Sequence, residues 1–264
     1  MLLPLYDDNP KTRIRFQYVT VALIAVCGAA FLWQQSMAEA AGHKLILALG
    51  AIPAVIFGYG HLPPDLVLIP AQATLFSSMF LHGGWMHLIG NMVFLWVLGD
   101  NVEDAMGHGR FVAFYVVCGI AAALAHGIID PQSEIPMIGA SGAISGLIGA
   151  YLLLHPKASI HTLVFSFVIA IPAWIVLGFW IGIQVSNVLQ GGGGNVAWWA
   201  HIGGALAGVI LIPLFKHKDV PLLKGLRENP SQPAKPQPRG IRIMRVAKKS
   251  EKTQKTQKTK GPWG

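Results

Sequence analysis

MIGASGAISGLIGAYLLL, residues 137–154, runs for 18 positions without a charge, and before Tyr151 its only polar side chains are Ser141 and Ser145. A bilayer-crossing helix needs about 20 mostly apolar residues, so this run reads as one. Five similar runs flank it, at 16–33, 75–98, 111–129, 160–181 and 196–215, each closed by polar or Gly/Pro-rich residues. A seventh, 45–60, is shorter, contains Pro53 and leads into His61, Pro63 and Pro64. It reads as an interfacial or re-entrant segment covered by protein rather than a span. The expected fold class is all-α: a polytopic membrane helical bundle of six transmembrane helices.

Composition agrees. Of 264 residues 53% are hydrophobic and 12% charged, against about 25% charged in soluble domains, and mean hydropathy is +0.52. The net charge of +8 belongs to one end: residues 216–264 hold 14 of the 20 Lys and Arg and 3 of the 12 acidic residues. A nucleic-acid-binding domain is therefore not what the charge implies. Cys27 and Cys118 lie in apolar runs and form neither a disulfide framework nor a CxxC metal site. Three parts are expected: a cytoplasmic N-terminal segment (1–15), a membrane domain (16–215) and a disordered basic cytoplasmic tail (216–264) with KTQ-like repetition and too little apolar surface for a core.

Lys and Arg favour cytoplasmic loops. Lys11, Arg13 and Arg15 precede the first run, Arg110 follows the second, Lys157 the fourth, and Lys216 and Lys218 the sixth. Six spans put all of these on one side and leave Lys44 alone on the other. Both termini are then cytoplasmic, and the location is the cell (inner) membrane. Ala38-Glu39-Ala40 resembles a signal-peptidase site, but the preceding 18 apolar residues suit a retained anchor.

Polar side chains within spans are costly and point to function. The second run carries His82, His87 and Asn91, the fourth Ser141 and Ser145, the fifth Ser166, and the sixth His201. Even-numbered spans run parallel, so His87, Ser141 and His201, each a few positions into its helix, are expected at one depth near the extracytoplasmic face. His87 and Asn91, four apart, share a helix face. Gly142, Gly146 and Ala150 form one small-residue stripe, and Ala200, Gly204 and Gly208 another. Such stripes let membrane helices approach closely, and stripe on stripe would bring Ser141 towards His201.

Gly139-Ala140-Ser141-Gly142, the His82, His87 and Asn91 spacing, and Ala200-His201-Ile202-Gly203-Gly204 together resemble the rhomboid intramembrane serine proteases, over roughly residues 70–215. The resemblance implies Ser141 as nucleophile and His201 as general base in a Ser–His dyad without a carboxylate. It implies an oxyanion hole from the Ser141 N–H, His87 and Asn91, with His82, Gly139, Gly142 and Gly204 in support. It gives Glu103 and Gly107 a structural loop role, and implies transmembrane protein substrates, cleaved near the extracytoplasmic face through an acyl-enzyme. Lateral access is implied past the fifth span and the Gly191–Gly194 loop. No cofactor, metal or nucleic acid is implied, and oligomeric state is not readable. Two positions depart from the family pattern. Ala73-Thr74 stands where Trp-Arg is common, and Ser145 stands where an aromatic residue usually packs on the catalytic His; Trp198 or Trp199 is the substitute expected. The alternative is a catalytically silent rhomboid-like module that binds membrane proteins.

Overall fold

The computed structural model describes residues 2–191 and 196–224. The tail beyond Lys224 and most of the Gly-rich loop lie outside the described residues. Six long helices carry the bundle: α1 (Tyr18–Gln35), α5 (Trp85–Met106), α6 (His108–Ile129), α7 (Ser141–Leu154), α8 (Ala173–Leu189) and α9 (Trp198–Phe215). Between α1 and α5 come α2 (Glu39–Leu49), the one-turn helices α3 (Pro53–Ile56) and α4 (Thr74–Ser77), and three 3₁₀ turns. The 45–60 run is thus broken at Gly50–Ile52 and does not form a span. By length and composition α1, α6 and α9 can each cross a membrane, and the bent pair Ala71–Phe80 and Trp85–Met106 makes a fourth candidate; α7 and α8 are shorter apolar helices.

Three expected spans are redrawn. The 75–98 run is not one helix: its two parts meet at 82°. His82-Gly83-Gly84 forms the break, where two glycines weaken the helix and the His82 N–H donates to Gln34 Oε1 (3.1 Å) on α1. The 137–154 run becomes helical only at Ser141. Met137 pairs with Ala51, the Gly139 N–H donates to Ser78 O (2.9 Å), and Gly139 has φ +115°. The third correction is larger. Residues 160–172, read as the first half of the fifth span, form a hairpin of β2 (Ser159–Val164) and β3 (Phe167–Pro172), and the helix follows at Ala173. Ile160, Thr162, Val164, Phe167, Val168, Ile169 and Ile171 are strand formers. Phe165 takes φ 54° in the turn, and Pro172 sets the backbone for the first helical turn. Ser166 therefore sits in a hairpin turn and not in a span. At the chain's start β1 (Leu2–Asp7) pairs antiparallel with β2, giving a sheet of order β1-β2-β3.

The interior is built from small residues. A Cβ added to Gly204 would clash with the Gly142 carbonyl, one on Gly208 with the Gly146 carbonyl, and one on Gly149 with the Ala205 carbonyl. The α7 and α9 backbones therefore touch along the two stripes. Gly142 and Gly146 press on Ala122 and Cys118 of α6. Beneath this layer Leu147, Ile148, Tyr151 and Leu154 are fully buried with Phe111, Phe114 and Tyr115.

At the opposite end of α5 two carboxylates organise the N-terminal segment. Gln17 provides no side-chain cap for α1; the fully buried Glu103 caps it from another helix. Its oxygens accept from the N–H groups of Val19 (3.1 Å) and Thr20 (2.9 Å), and from Thr20 Oγ1 (2.7 Å). These are helix-start donors with no partner inside their own helix. Asp104 likewise accepts from the N–H groups of Thr12, Arg13 and Ile14. Gly107, at φ +79°, turns the chain from α5 into α6.

β1 is tied down through Asp7, which accepts from the Tyr151 hydroxyl and from Asn101 Nδ2 (2.8 Å). Burial first, then the Asp100 carboxylate, push the Asp7 carboxyl up to about 6, against the pull of the Tyr151 and Asn101 hydrogen bonds. The docked strand thus holds a proton more tightly than a free one. Docking is strongest below the free carboxyl's range and weakens as pH rises through about 6. Amide protection factors within β1 are expected to fall between about pH 4 and 7. Asp7→Asn should remove that dependence while leaving the Asp8–His161 and Lys11–Asp100 pairs intact; an unchanged profile in the variant would refute the assignment.

Candidate active site

Three helix starts converge. Ser141 is the first residue of α7, His201 the fourth of α9 and His87 the third of α5. The Ser141 Oγ and His201 Nε2 are 2.9 Å apart. Both residues are half-buried, a position that water can reach. The contact follows from the glycine stripes: Gly142 and Gly204 bring the two backbones together one residue after Ser141 and three after His201.

The far side of the imidazole was not anticipated. His201 Nδ1 lies 2.8 Å from Gln184 Oε1 on α8, and Gln184 Nε2 lies 2.9 Å from the Trp180 carbonyl. A backbone carbonyl only accepts, so the Gln184 amide N–H must face Trp180 and its oxygen must face His201. That oxygen also only accepts, so His201 carries its proton on Nδ1. Nε2 is left with a lone pair towards the Ser141 hydroxyl. A hydroxyl donating to an unprotonated imidazole nitrogen is the arrangement nucleophilic acyl transfer requires.

Trp180 is tilted on the His201 ring (centroids 5.5 Å) and Trp198 meets it edge-on at 6.2 Å. Ser145 is fully buried and donates to the Ser141 carbonyl (2.6 Å), one turn back in its own helix. The place of a ring packed from position 145 is thus taken by two tryptophans, of which Trp198 had been expected and Trp180 had not. Gln184 was missed because the fifth span was drawn to end at residue 181. Once the helix is moved to Ala173–Leu189, Gln184 stands out as a buried amide in an apolar helix.

His87 and Asn91 flank the approach to Ser141. The Gly83 N–H donates to His87 Nδ1 (3.3 Å), so the ring's proton is on Nε2. A Cβ on Gly139 would lie 2.7 Å from that Nε2 and 3.8 Å from Asn91 Nδ2. Gly139 therefore leaves room for the His87 ring beside the start of α7, and its positive φ also suits glycine. One Asn91 amide hydrogen is spent on the His87 carbonyl (2.8 Å); an amide has a second. His82 lies outside the helices, at the break between the two halves of the bent pair. It is buried, joined at its backbone to Gln34, with Nδ1 at 3.3 Å from the Phe80 carbonyl and its ring 5.2 Å from that of His87. Among the described residues no group of three His, Cys, Asp or Glu could hold a metal ion.

A bundle of apolar helices defines a class, the polytopic helical membrane proteins, here with a serine and a histidine joined across two of the helices. A family profile described as the Rhomboid domain matches residues 71–218, more than half of the chain, and the chain belongs to the rhomboid family. It is 36% identical over 152 residues to RHOMBOID-like protein 5 of Arabidopsis thaliana, covering 58% of this chain and 47% of that protein. It is 36% identical over 137 residues to Rhomboid protease GluP of Bacillus subtilis (strain 168), covering 51% and 24%. With Rhomboid protease GlpG of Salmonella newport (strain SL254) the identity is 29% over 143 residues, 52% and 46% of the two chains. The chain spans about half or less of the length of these relatives.

Proposed function

We propose that this protein is an intramembrane serine endopeptidase that cleaves transmembrane substrate helices near the extracytoplasmic face. The observation that carries the reading is the 2.9 Å contact between Ser141 Oγ and an acceptor Nε2 of His201. Six spans, with both termini cytoplasmic in the cell membrane, suit the Lys/Arg distribution. They also suit the alternating directions of α1, α5, α6, α7, α8 and α9.

Helix length supports a site below the membrane surface. The 14 residues of α7 rise about 21 Å, short of a hydrocarbon core of about 30 Å. With its Leu154 end at the cytoplasmic boundary, Ser141 stands about 10 Å beneath the opposite one.

In the proposed reaction His201 Nε2 takes the Ser141 proton as Oγ attacks the scissile carbonyl carbon. The carbonyl oxygen gains the charge and is held by the Ser141 N–H, His87 Nε2–H and the free Asn91 amide hydrogen. The Ser141 N–H belongs to a helix start and has no acceptor within α7. The C–N bond then breaks, and Nε2–H gives its proton to the departing amine. Water, deprotonated by the same nitrogen, hydrolyses the ester and returns Ser141. Asn91→Ala removes one oxyanion donor and is expected to lower kcat about 10²-fold with little change in KM; steady-state kinetics on a membrane-embedded peptide check this.

The test is covalent labelling. A fluorophosphonate should modify the purified wild-type protein at Ser141, located by peptide mass. Absence of labelling in protein that is folded and inserted would refute the proposal and leave the silent, protein-binding module.

A further inference from the structure

The second half of α8 turns most of its side chains outward. Of residues 178–189 only Gln184 is buried, at 4% exposure, while Phe179, Ile183, Val185 and Leu189 are exposed. The one fully buried side chain of this stretch is thus polar, with Trp180 and Ile181 partly buried against the core beside it. Burying an amide is costly unless its groups are paired, and both groups of Gln184 are used, one on the Trp180 carbonyl and one on His201 Nδ1.

We infer that Gln184 is a positioning residue that holds His201 in the Nδ1–H tautomer, and that α8 thereby determines whether the imidazole can act as a base towards Ser141. The inference rests on the serine-endopeptidase reading. A neutral imidazole has two tautomers. In the wrong one Nε2 carries the hydrogen, points it at the Ser141 oxygen and cannot accept the hydroxyl proton. The Gln184 carbonyl accepts only from Nδ1–H, so it selects against that form. The Trp180 carbonyl performs the same service for Gln184, preventing the amide from turning its N–H groups towards the ring. The chain Trp180 O, Gln184, His201, Ser141 is consequently directional along its whole length, and its first two members lie on one helix. Any displacement of the upper half of α8 lengthens the Gln184–His201 bond and releases the ring. Base competence is therefore linked to the seating of α8.

Fluorophosphonate labelling rates of wild type, Gln184→Met and Gln184→Glu, measured between about pH 5 and 9, test this. Met fills similar volume and accepts only weakly. Gln184→Met is expected to label about 10- to 100-fold more slowly, with thermal unfolding in detergent close to wild type. Glu restores a strong acceptor, and its charge favours the imidazolium. Gln184→Glu is expected to recover most of the rate at its own optimum, with the acid limb moved up by about one pH unit or more. His87 and His126, the other titratable groups whose charge reaches His201, are the same in all three proteins. A role confined to packing α8, with no contact to the ring, would not move that limb.

Labelling of Gln184→Met at the wild-type rate overturns the inference while leaving the serine endopeptidase intact. Should Gln184→Met fail to accumulate, Gln184→Glu decides alone, and an acid limb that stays in place overturns it. Wild-type protein that does not label at all refutes the endopeptidase reading and this inference together.

Discussion

Ser141→Ala is expected to reduce cleavage of a transmembrane reporter by about 10⁴-fold or more, to background, and to abolish fluorophosphonate labelling. Insertion and stability should be unaffected. The Ser141 hydroxyl bonds to His201 Nε2, whereas the α7–α9 contact is made by glycine backbones. His201→Ala should fall about as far. The double variant should be no worse than either single one, because a nucleophile and its base act as a unit and their losses do not add. Purified protein assayed in liposomes, with insertion checked by protease protection, is the measurement. Residual cleavage by Ser141→Ala at even a few per cent of wild type would put the nucleophile elsewhere.

The second large effect is on the fold. Gly204→Val places branched carbon atoms where the Gly142 carbonyl already is, with Ser145 Cβ 3.1 Å away. Backbone cannot yield as a flexible side chain does, so α7 and α9 must separate. Overpacking of a close-packed interior costs about 1–3 kcal/mol, and here the loss should reach at least the top of that range. Thermal unfolding in detergent should show it. The separation also has a chemical consequence. A shift of about 1 Å takes a 2.9 Å hydrogen bond out of range, so labelling at Ser141 should disappear even in the fraction that remains folded. Gly28→Ala is the control: nothing lies within 4 Å of a Cβ there, and the change should be neutral or stabilising by up to about 1 kcal/mol. Equal effects at positions 28 and 204 would refute close approach of α7 and α9 as the organising contact.

These two outcomes depend on features of different legibility. The Gly142/Gly146 and Gly204/Gly208 stripes could be read from a single chain because small residues four apart on an apolar helix have few other uses. Their register with Ser141 and His201 then placed the two side chains near each other. His87 and Asn91 were legible for the same reason, being polar and one turn apart in an apolar run. Glu103 and Gly107 were visible as a loop motif, but the motif did not say what the carboxylate binds. Its partners, Val19 and Thr20, are more than 80 positions away, and capping one helix from another leaves no periodic trace.

The fifth span failed for a definable reason. Hydropathy averages over a window and does not distinguish a β-branched hairpin from a helix of the same composition. Residues 160–172 are as apolar as a span, yet they turn at Phe165 and pair with β1. β1 lies about 160 positions earlier, and a pairing of that range cannot be inferred from either segment alone. The slip in the helix boundary removed Gln184 from view, and with it the partner of His201 Nδ1.

The sequence by itself determined what is local or periodic: apolar lengths, small-residue stripes, the charge asymmetry, and which few polar groups stand in apolar surroundings. Tertiary structure decided where helices begin, which strand completes the sheet, and which proton the His201 imidazole keeps. The physical reason is that hydrogen-bond direction is set by the full circle of neighbours. For His201 that circle is drawn from α7, α8 and α9, three segments that only the folded chain brings together.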